Sequence, residues 1–359
     1  MTATVPASVP ASVPVTVSAS VPVTVPAAGT PATEAVPVSP EVLAKTAVAL
    51  KTLAADPTCR EAFLSAPSLS QILAAPAGRY VVARDRATLT GRLRLLAGKG
   101  YRTGIEYVGE EATDPAEVDA VCAEYLALVD EAPEPDRHTS AVQLGFDLSN
   151  VGLLVSRRAA VENTARILRA AAGKGIGVMI SMECSGFVDR IIDVFCELAP
   201  DHPNLGLTVQ AHLHRTERDL DTVAAFRRKV RLVKGVYREP AEVALPRGPQ
   251  LNRRYVDLAG RLLDAGVPLA CGTHDAGLLA TLDEQGLTGR IAELEMLHGS
   301  QPQLLRRYLE RGVPCRVAAV YGENWWLHFL HRLAEYPPNV LTALADLADP
   351  ARIKFGSDY

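Results

Sequence analysis

The chain has 359 residues, 48% of them hydrophobic and 22% charged, with a net charge of -4. That length and apolar content support one large buried core and exclude a fibrous or wholly disordered chain. Lysines and arginines are scattered with no basic excess, which argues against a nucleic-acid surface.

No apolar run reaches the roughly 18 residues of a membrane span, and the N-terminus lacks the basic start of a secretory signal. A cytoplasmic protein is expected, with peripheral attachment at the inner membrane as its one variant. The cysteines at 59, 122, 184, 196, 271 and 315 lie far apart with no Cys-x-x-Cys pair, so reduced and mostly buried thiols are expected.

Residues 1–40 cycle through Val, Pro, Ala, Ser and Thr and carry Glu34 as their sole charge. With no period that buries a face, they predict an extended, disordered tail. Residues 41–99 read as helical, with Leu43, Ala47, Leu50 and Ala54 on one face and Leu89, Leu93 and Leu96 on another.

From Gly100 onward short β-branched or apolar runs alternate with longer segments of helical period. The runs predict strands over Arg102 to Val108, Ala141 to Phe146, Gly177 to Met182, Gly206 to Ala211, Lys229 to Val236, Pro268 to Thr273, Arg290 to Leu297 and Cys315 to Val320. The segments between predict helices over Pro115 to Glu131, Ser156 to Ala172, Phe187 to Leu198, Glu217 to Arg228, Gln250 to Ala265, Ala276 to Gln285, Gln301 to Arg311 and Asn324 to Glu335. Strand and helix alternating in this way over residues 100–350 predict an α/β fold, the TIM-type (β/α)8 barrel. A doubly wound sheet would bring a topological switch and a glycine-rich first loop, and neither is visible.

Chemistry in such a barrel gathers at the C-terminal strand ends. Those positions hold Glu110, Gln143, Ser181 to Cys184, Gln210, His212, Lys234 to Tyr237, Thr273 to Asp275 and Glu295 to His298. Strand ends face water in any barrel, so polarity there favours an enzyme only in part. Within Lys229 to Tyr237, Arg231 and Lys234 interrupt an apolar strand, and a buried cation requires an anion or an electron-rich partner. Those partners are either carboxylates such as Glu183 and Glu295 or a ligand, and Gly235 would let a ligand approach the backbone closely. His212, His214, His274 and His298 fall near barrel mouths, but their spacing with carboxylates does not build a metal site, so none is expected.

The last predicted helix places His328, His331, Arg332 and Glu335 at i, i+3, i+4 and i+7, one polar stripe above Phe329, Leu330 and Leu333. The stripe is either the wall of an anionic-ligand site or a solvated face, and the apolar side is expected against the sheet.

Seven ordered motifs between Gly100 and Leu347 carry a resemblance. They are Val-Gly-Glu110, Ser-Met-Glu-Cys-Ser185, Val-Gln-Ala-His212-Leu-His-Arg-Thr216, Arg-Leu-Val-Lys-Gly-Val-Tyr237, Gly-Thr-His274-Asp, Glu-Leu-Glu-Met-Leu-His-Gly299, and Tyr-Gly-Glu-Asn-Trp with His-Arg332-Leu-Ala-Glu335. In this order they resemble the FAD-dependent proline dehydrogenases, in particular the short monofunctional members.

The resemblance implies a barrel holding FAD, lined by Gln210, Arg231, Val233, Lys234, Gly235, Thr273, His274, Glu295 and Glu335. Arg231 would stand beside the flavin N5 and O4 edge, where a guanidinium stabilises the charge of reduced flavin. The implied substrate side is Gln143, Ser181, Leu232, Tyr237, Ala318, His328, His331 and Arg332, with Glu110 closing on His331. Here the chain departs from the family pattern, which carries Lys for Gln143, Asp for Ser181, Tyr for Ala318, Tyr for His328 and Arg for His331.

The expectation is therefore an FAD-dependent dehydrogenase that moves a hydride from a C–H beside nitrogen. Its catalytic set would be Arg231, Tyr237, His328, His331, Arg332 and Glu110, and His328 or His331 would accept the amine proton. Its substrate would be a cyclic amine, an amino acid derivative or a carrier-tethered intermediate rather than free proline, with a quinone or oxygen as electron acceptor. L-Proline oxidation to 1-pyrroline-5-carboxylate is the alternative. A flavin-free aldolase or lyase using Lys234, or a non-catalytic binding barrel, is the alternative of another class.

Overall fold

The computed structural model of the chain describes residues 38–109, 111–132 and 142–359. The expected tail over residues 1–40 falls almost wholly outside this set, as do Glu110 and Ala141. Four helices precede the sheet: α1 (Pro40–Ala55), α2 (Pro57–Leu64), α3 (Pro67–Ala77) and α4 (Arg86–Gly98). Pro40, Pro57 and Pro67 each open one of them, where the missing N–H costs nothing. Asp56 and Asp85 cap α2 and α4 by accepting backbone N–H bonds from Thr58 and Thr88, both at 2.8 Å.

The alternation follows as β1 (Arg102–Tyr107), α5 (Pro115–Glu131), β2 (Val142–Phe146), α6 (Arg157–Gly173), β3 (Gly177–Ile180), α7 (Val188–Leu198), β4 (Leu205–Gln210) and α8 (Thr216–Ala224). It continues through β5 (Lys229–Val233), α9 (Pro249–Asp264), β6 (Leu269–Gly272), α10 (Ala276–Glu284), β7 (Glu293–Leu297), α11 (Pro302–Glu310), β8 (Cys315–Tyr321), α12 (Trp326–Glu335) and α13 (Asn339–Ala348). All eight strands are parallel, and β8 pairs back onto β1 to close the barrel. The expected TIM-type architecture is therefore present.

Among the boundaries that differ from expectation, two have a clear local reason. Helix α8 stops at Ala224 rather than Arg228, because Arg227 turns to a positive φ of 51° that no helix continues through. Strand β5 stops at Val233 rather than Val236, because Gly235 takes φ 109° and swings the chain out of the sheet.

The main apolar core lies between the barrel and its helices, with Leu144, Val178, Leu207, Leu232, Leu269 and Val317 fully or almost fully buried. A second core is separate from it. Phe329, Leu330 and Leu333 of α12 pack with Trp325, Ala54, Phe63, Ala77, Tyr80, Val81 and Ala343, not against the sheet. Phe63 stacks on Trp326 at 4.3 Å between centroids and meets Trp325 edge-on at 5.1 Å. The expected apolar side of α12 is thus real, but its seat is α1 to α3 and α13.

All six cysteines are free thiols, three of them buried and three half-buried. No helix among the described residues is long and apolar enough to cross a membrane.

Candidate active site

Side chains alternate across a strand, so every second residue of each strand points into the barrel. Barrel interiors are ordinarily filled by branched aliphatics. This one is ionic. At its lower level Glu293, with no exposed surface, accepts from Arg316 at 2.9 Å, Lys229 at 2.5 Å and Arg102 at 3.0 Å. Burial alone would push the Glu293 carboxyl up, but Arg316 and Lys229 outweigh it and hold the group well below the usual carboxylate range.

One level higher, Arg231 is the hub. Its Nη1 donates to Glu295 at 2.6 Å and to Glu106 at 3.0 Å, its Nε to Thr208 Oγ1 at 2.9 Å, and its Nη2 to Ser181 Oγ at 3.0 Å. Burial works against the cation, and the two carboxylates more than restore it, so Arg231 stays charged. The glycines of neighbouring strands leave room for these long side chains: a Cβ on Gly145 would stand 2.8 Å from Glu106 Oε1. Arg231 therefore has protein carboxylate partners, Glu295 as expected and Glu106 in place of Glu183.

The rim above Arg231 is formed by the residues that end the strands. Gln210 donates from Nε2 to the Glu183 carbonyl at 2.8 Å, while its buried Oε1 has no partner. His212 Nδ1 lies 2.9 Å from the Lys234 carbonyl, and its Nε2 is likewise buried and unmatched. Gly235 is obligatory here, since any Cβ would lie 1.6 Å from the His212 ring. Lys234 Nζ donates to Asp275 Oδ2 at 2.5 Å. Thr273 is buried and its Oγ1 accepts from the Asp275 N–H at 3.2 Å, whereas His274 stands exposed beside it. Val233 is half-buried, and Tyr237 lies 39% exposed in the loop beyond it.

Helix α12 carries the remaining candidates, near enough for Glu335 and Arg332 to act on His274. Arg332 is 8% exposed and pairs with Glu335 at 2.6 Å, yet its buried Nε finds no acceptor. Burial pushes His331 and His328 below the ordinary imidazole value, and the Arg332 guanidinium adds to the shift in both. Both rings are neutral at pH 7, so the stripe carries one cation, Arg332, paired with one anion, Glu335. As neutral rings held down in this way, they are poor acceptors for an amine proton.

Three expected positions sit elsewhere than at the rim. Gln143 is buried in the lumen, its Oε1 accepting from Lys229 at 3.1 Å, because it pairs in register with Gly104 and Gly177 low on their strands. Leu232 follows Arg231 and so faces the opposite side of the sheet, where it is fully buried among the outer helices. Ala318 lines the lumen at mid-depth opposite Gly104. Glu110 lies outside the described residues.

Two carboxylates at the lumen were not anticipated. Glu106 is one, the inward residue two beyond Gly104. The other is Asp147, at the position immediately after β2 and on the same face as Gln143 and Gly145. Burial pushes its carboxyl up to about 8, with Glu183 and Glu106 reinforcing the shift. Period-two alternation carried one residue past Phe146 would have found it.

The unmatched acceptor on Gln210 and the unmatched donor on Arg332 are what a polar ring edge and an anionic ligand would satisfy, and the rim thus fits a flavin and an acidic or polar substrate. The comparisons decide the kind. The sequence model described as Proline dehydrogenase matches residues 89–335. The chain belongs to the proline dehydrogenase family.

Proline dehydrogenase 2 of Bacillus subtilis is 28% identical over 274 residues, covering 74% of this chain and 88% of that protein. Proline dehydrogenase of Deinococcus radiodurans is 26% identical over 274 residues, covering 73% and 87%. Among solved structures, proline utilization A of Bdellovibrio bacteriovorus inactivated by N-propargylglycine superposes with a TM-score of 0.67 at 17% identity, over 82% of this chain. That likeness is one of fold, and the chain spans 36% of that larger protein. As a short member of the proline dehydrogenase family, the chain is a flavin-dependent oxidoreductase acting on CH–NH donors, with FAD as its cofactor. A Schiff-base role for Lys234 and a non-catalytic barrel are both set aside, and the Lys234 amine is held by Asp275.

Proposed function

We propose that the enzyme oxidises the C–N bond of a cyclic amine or amino acid derivative, free or tethered to a carrier, rather than free proline. The observation that carries this is the single guanidinium of α12. Arg332 shares its charge with Glu335, and its neighbour His331 is neutral at physiological pH. One arm of a charge-assisted clamp contributes on the order of 1.5–3 kcal/mol, so an acid that needs two arms is held weakly.

FAD supplies the two-electron acceptor for the hydride, and Gln210, Arg231, Val233, Lys234, Gly235, Thr273, His274, Glu295 and Glu335 would hold it. Glu106 and Glu295 fix the Arg231 guanidinium at the height of Ser181. Arg332 binds the substrate's anionic or polar end, with Tyr237 and His328 bounding the pocket and Glu110 closing on it. Electrons would leave to a quinone or to oxygen, from a protein at the cytoplasmic side of the inner membrane.

Anaerobic titration of the purified flavoprotein tests this. Prolyl esters, amides or thioesters are expected to bleach the flavin band near 450 nm at lower concentration than L-proline does. Full bleaching by L-proline below about 1 mM, with the derivatives inert, would sink the proposal. That outcome would favour the second reading, L-proline oxidation to 1-pyrroline-5-carboxylate, which the B. subtilis and D. radiodurans relatives support by their names.

A further inference from the structure

Asp147 stands where β2 reaches the rim, in the row that runs inward through Gln143 and Gly145. It precedes a 3-10 turn over Leu148–Val151, and the residue at such a position ordinarily spends its carboxylate on the turn's free N–H groups. Here it does not. Glu183, reaching across from the loop after β3, accepts the Ser149 N–H at 3.1 Å, and the Asp147 side chain makes no cap bond. The Asp147 carboxyl is thereby released toward the lumen.

The groups that face it come from every neighbouring strand end. Ser181 after β3 lies close enough to act on it, and its hydroxyl accepts from Arg231 Nη2 at 3.0 Å. Glu106 of β1, Glu183 after β3 and Arg231 of β5 complete its charged surroundings. The phenol of Tyr237, after β5, lies within range of both Asp147 and Glu183, and Glu111 also acts on it. A carboxyl that caps no turn thus sits one hydroxyl away from the guanidinium proposed to face the flavin.

We propose that Asp147 is a catalytic residue, the base that takes the proton from the substrate's ammonium before hydride transfer. The inference rests on the dehydrogenase reading above. The amine arrives as R2NH2+, which has no lone pair to drive loss of a hydride. Its N–H bond breaks, the electron pair stays on nitrogen, and the proton forms an O–H bond on an Asp147 oxygen. With FAD bound as hydride acceptor, the neutral amine could then lose the adjacent C–H as a hydride while its lone pair forms the C=N bond, and the resulting iminium would shed its remaining N–H proton to water. The two electrons end on FAD, the one co-reactant the step requires.

A base works best when its own proton affinity lies near the working pH. Crowding by burial, Glu183 and Glu106 sets Asp147 in that range, whereas both α12 histidines are displaced downward.

The test compares the holoenzyme with its Asp147→Asn and Ser181→Ala variants. The wild-type rate of anaerobic flavin reduction is expected to rise along a limb centred near pH 8. Asp147→Asn loses that limb and about 100-fold or more in rate, with FAD still bound at wild-type stoichiometry. Ser181→Ala keeps the limb but shifts its midpoint.

A second readout needs no substrate. The folded-state proton of Asp147 makes wild-type stability fall between pH 3.8 and pH 8, so the melting temperature of Asp147→Asn should gain on wild type across that window. An unchanged pH limb in Asp147→Asn, or a melting difference that does not grow toward pH 8, overturns the proposal. Failure of every amine to bleach the flavin would instead strike the dehydrogenase reading, and the melting comparison would still decide the proton on Asp147.

Discussion

At the scale of single residues, the site depends on which long side chains are charged and which have been neutralised by their surroundings. His331 is the clearest case, since Arg332 beside it and burial around it keep the ring neutral. Restoring a second guanidinium with His331→Arg should tighten binding of free L-proline by roughly 10-fold or more, the value of one charge-assisted pair. Dissociation constants from flavin bleaching measure this directly, and unchanged proline affinity would show that the clamp was never the limiting feature.

Legibility followed the same chemistry. Arg231 and Lys234 were conspicuous because cations interrupt an apolar strand, and Glu295 was correctly paired with the first of them. Leu232 was misplaced because a motif names neighbours without saying that strand neighbours face opposite sides. Asp147 went unnoticed because an isolated aspartate after a strand reads as a turn former, and only the cap supplied by Glu183 reveals that it is uncommitted.

At the scale of elements, α12 is held by an aromatic seat. Phe63 of α2 is 2% exposed and touches both Trp325 and Trp326. Phe63→Ala should cost about 3–5 kcal/mol of stability and displace Arg332 and His328 with the helix, raising substrate KM more than it lowers kcat. Denaturant melts and steady-state kinetics check the two halves, and a stable variant with wild-type KM would show that the seat does not position the helix. The amphipathic stripe of α12 predicted that Phe329, Leu330 and Leu333 would be buried. It carried no information on their partner, because a 3.6-residue period states that a face is covered and not by what.

At the scale of the whole molecule, two buried groups shape the response to acid, Glu293 in the lumen and His298 against Tyr359. Burial pushes His298 down to about 3, with Arg92 adding to the shift, so the folded state binds fewer protons there than the unfolded chain between pH 3 and pH 6.5. The His298 contribution therefore falls as pH drops below 6.5, opposite in sign to that of Asp147, whose folded-state proton adds stability as pH falls from 8 to 3.8. Glu293 adds a second loss lower down, since its stabilisation is present above pH 4.5 and disappears as pH falls through its depressed value. The melting-temperature difference between wild type and His298→Phe should therefore move in favour of the variant as pH drops from 6.5 toward 4.5, whatever the variant's absolute stability, and the Glu293 loss should follow only below pH 4.5. Glu293→Gln leaves Arg316 and Lys229 short of their shared anion and should cost on the order of 3–5 kcal/mol at neutral pH. Urea unfolding of the variant checks this, a near-neutral result meaning that the three cations are solvated from below. The barrel itself was legible from its eight alternating runs, whereas its charged filling was not, because lumen and rim share the same residues in a one-dimensional pattern.

The separate seat of α12 has a consequence for how such an enzyme diversifies. The barrel core, the Arg231 hub and the wall proposed for the flavin form one chassis, while the helix proposed to read the substrate rests on a different apolar cluster. Substitutions at 328 and 331 would therefore accumulate without loosening the chassis, and on the proposed reading the head becomes interchangeable tooling whose selectivity drifts while the redox engine stays in place.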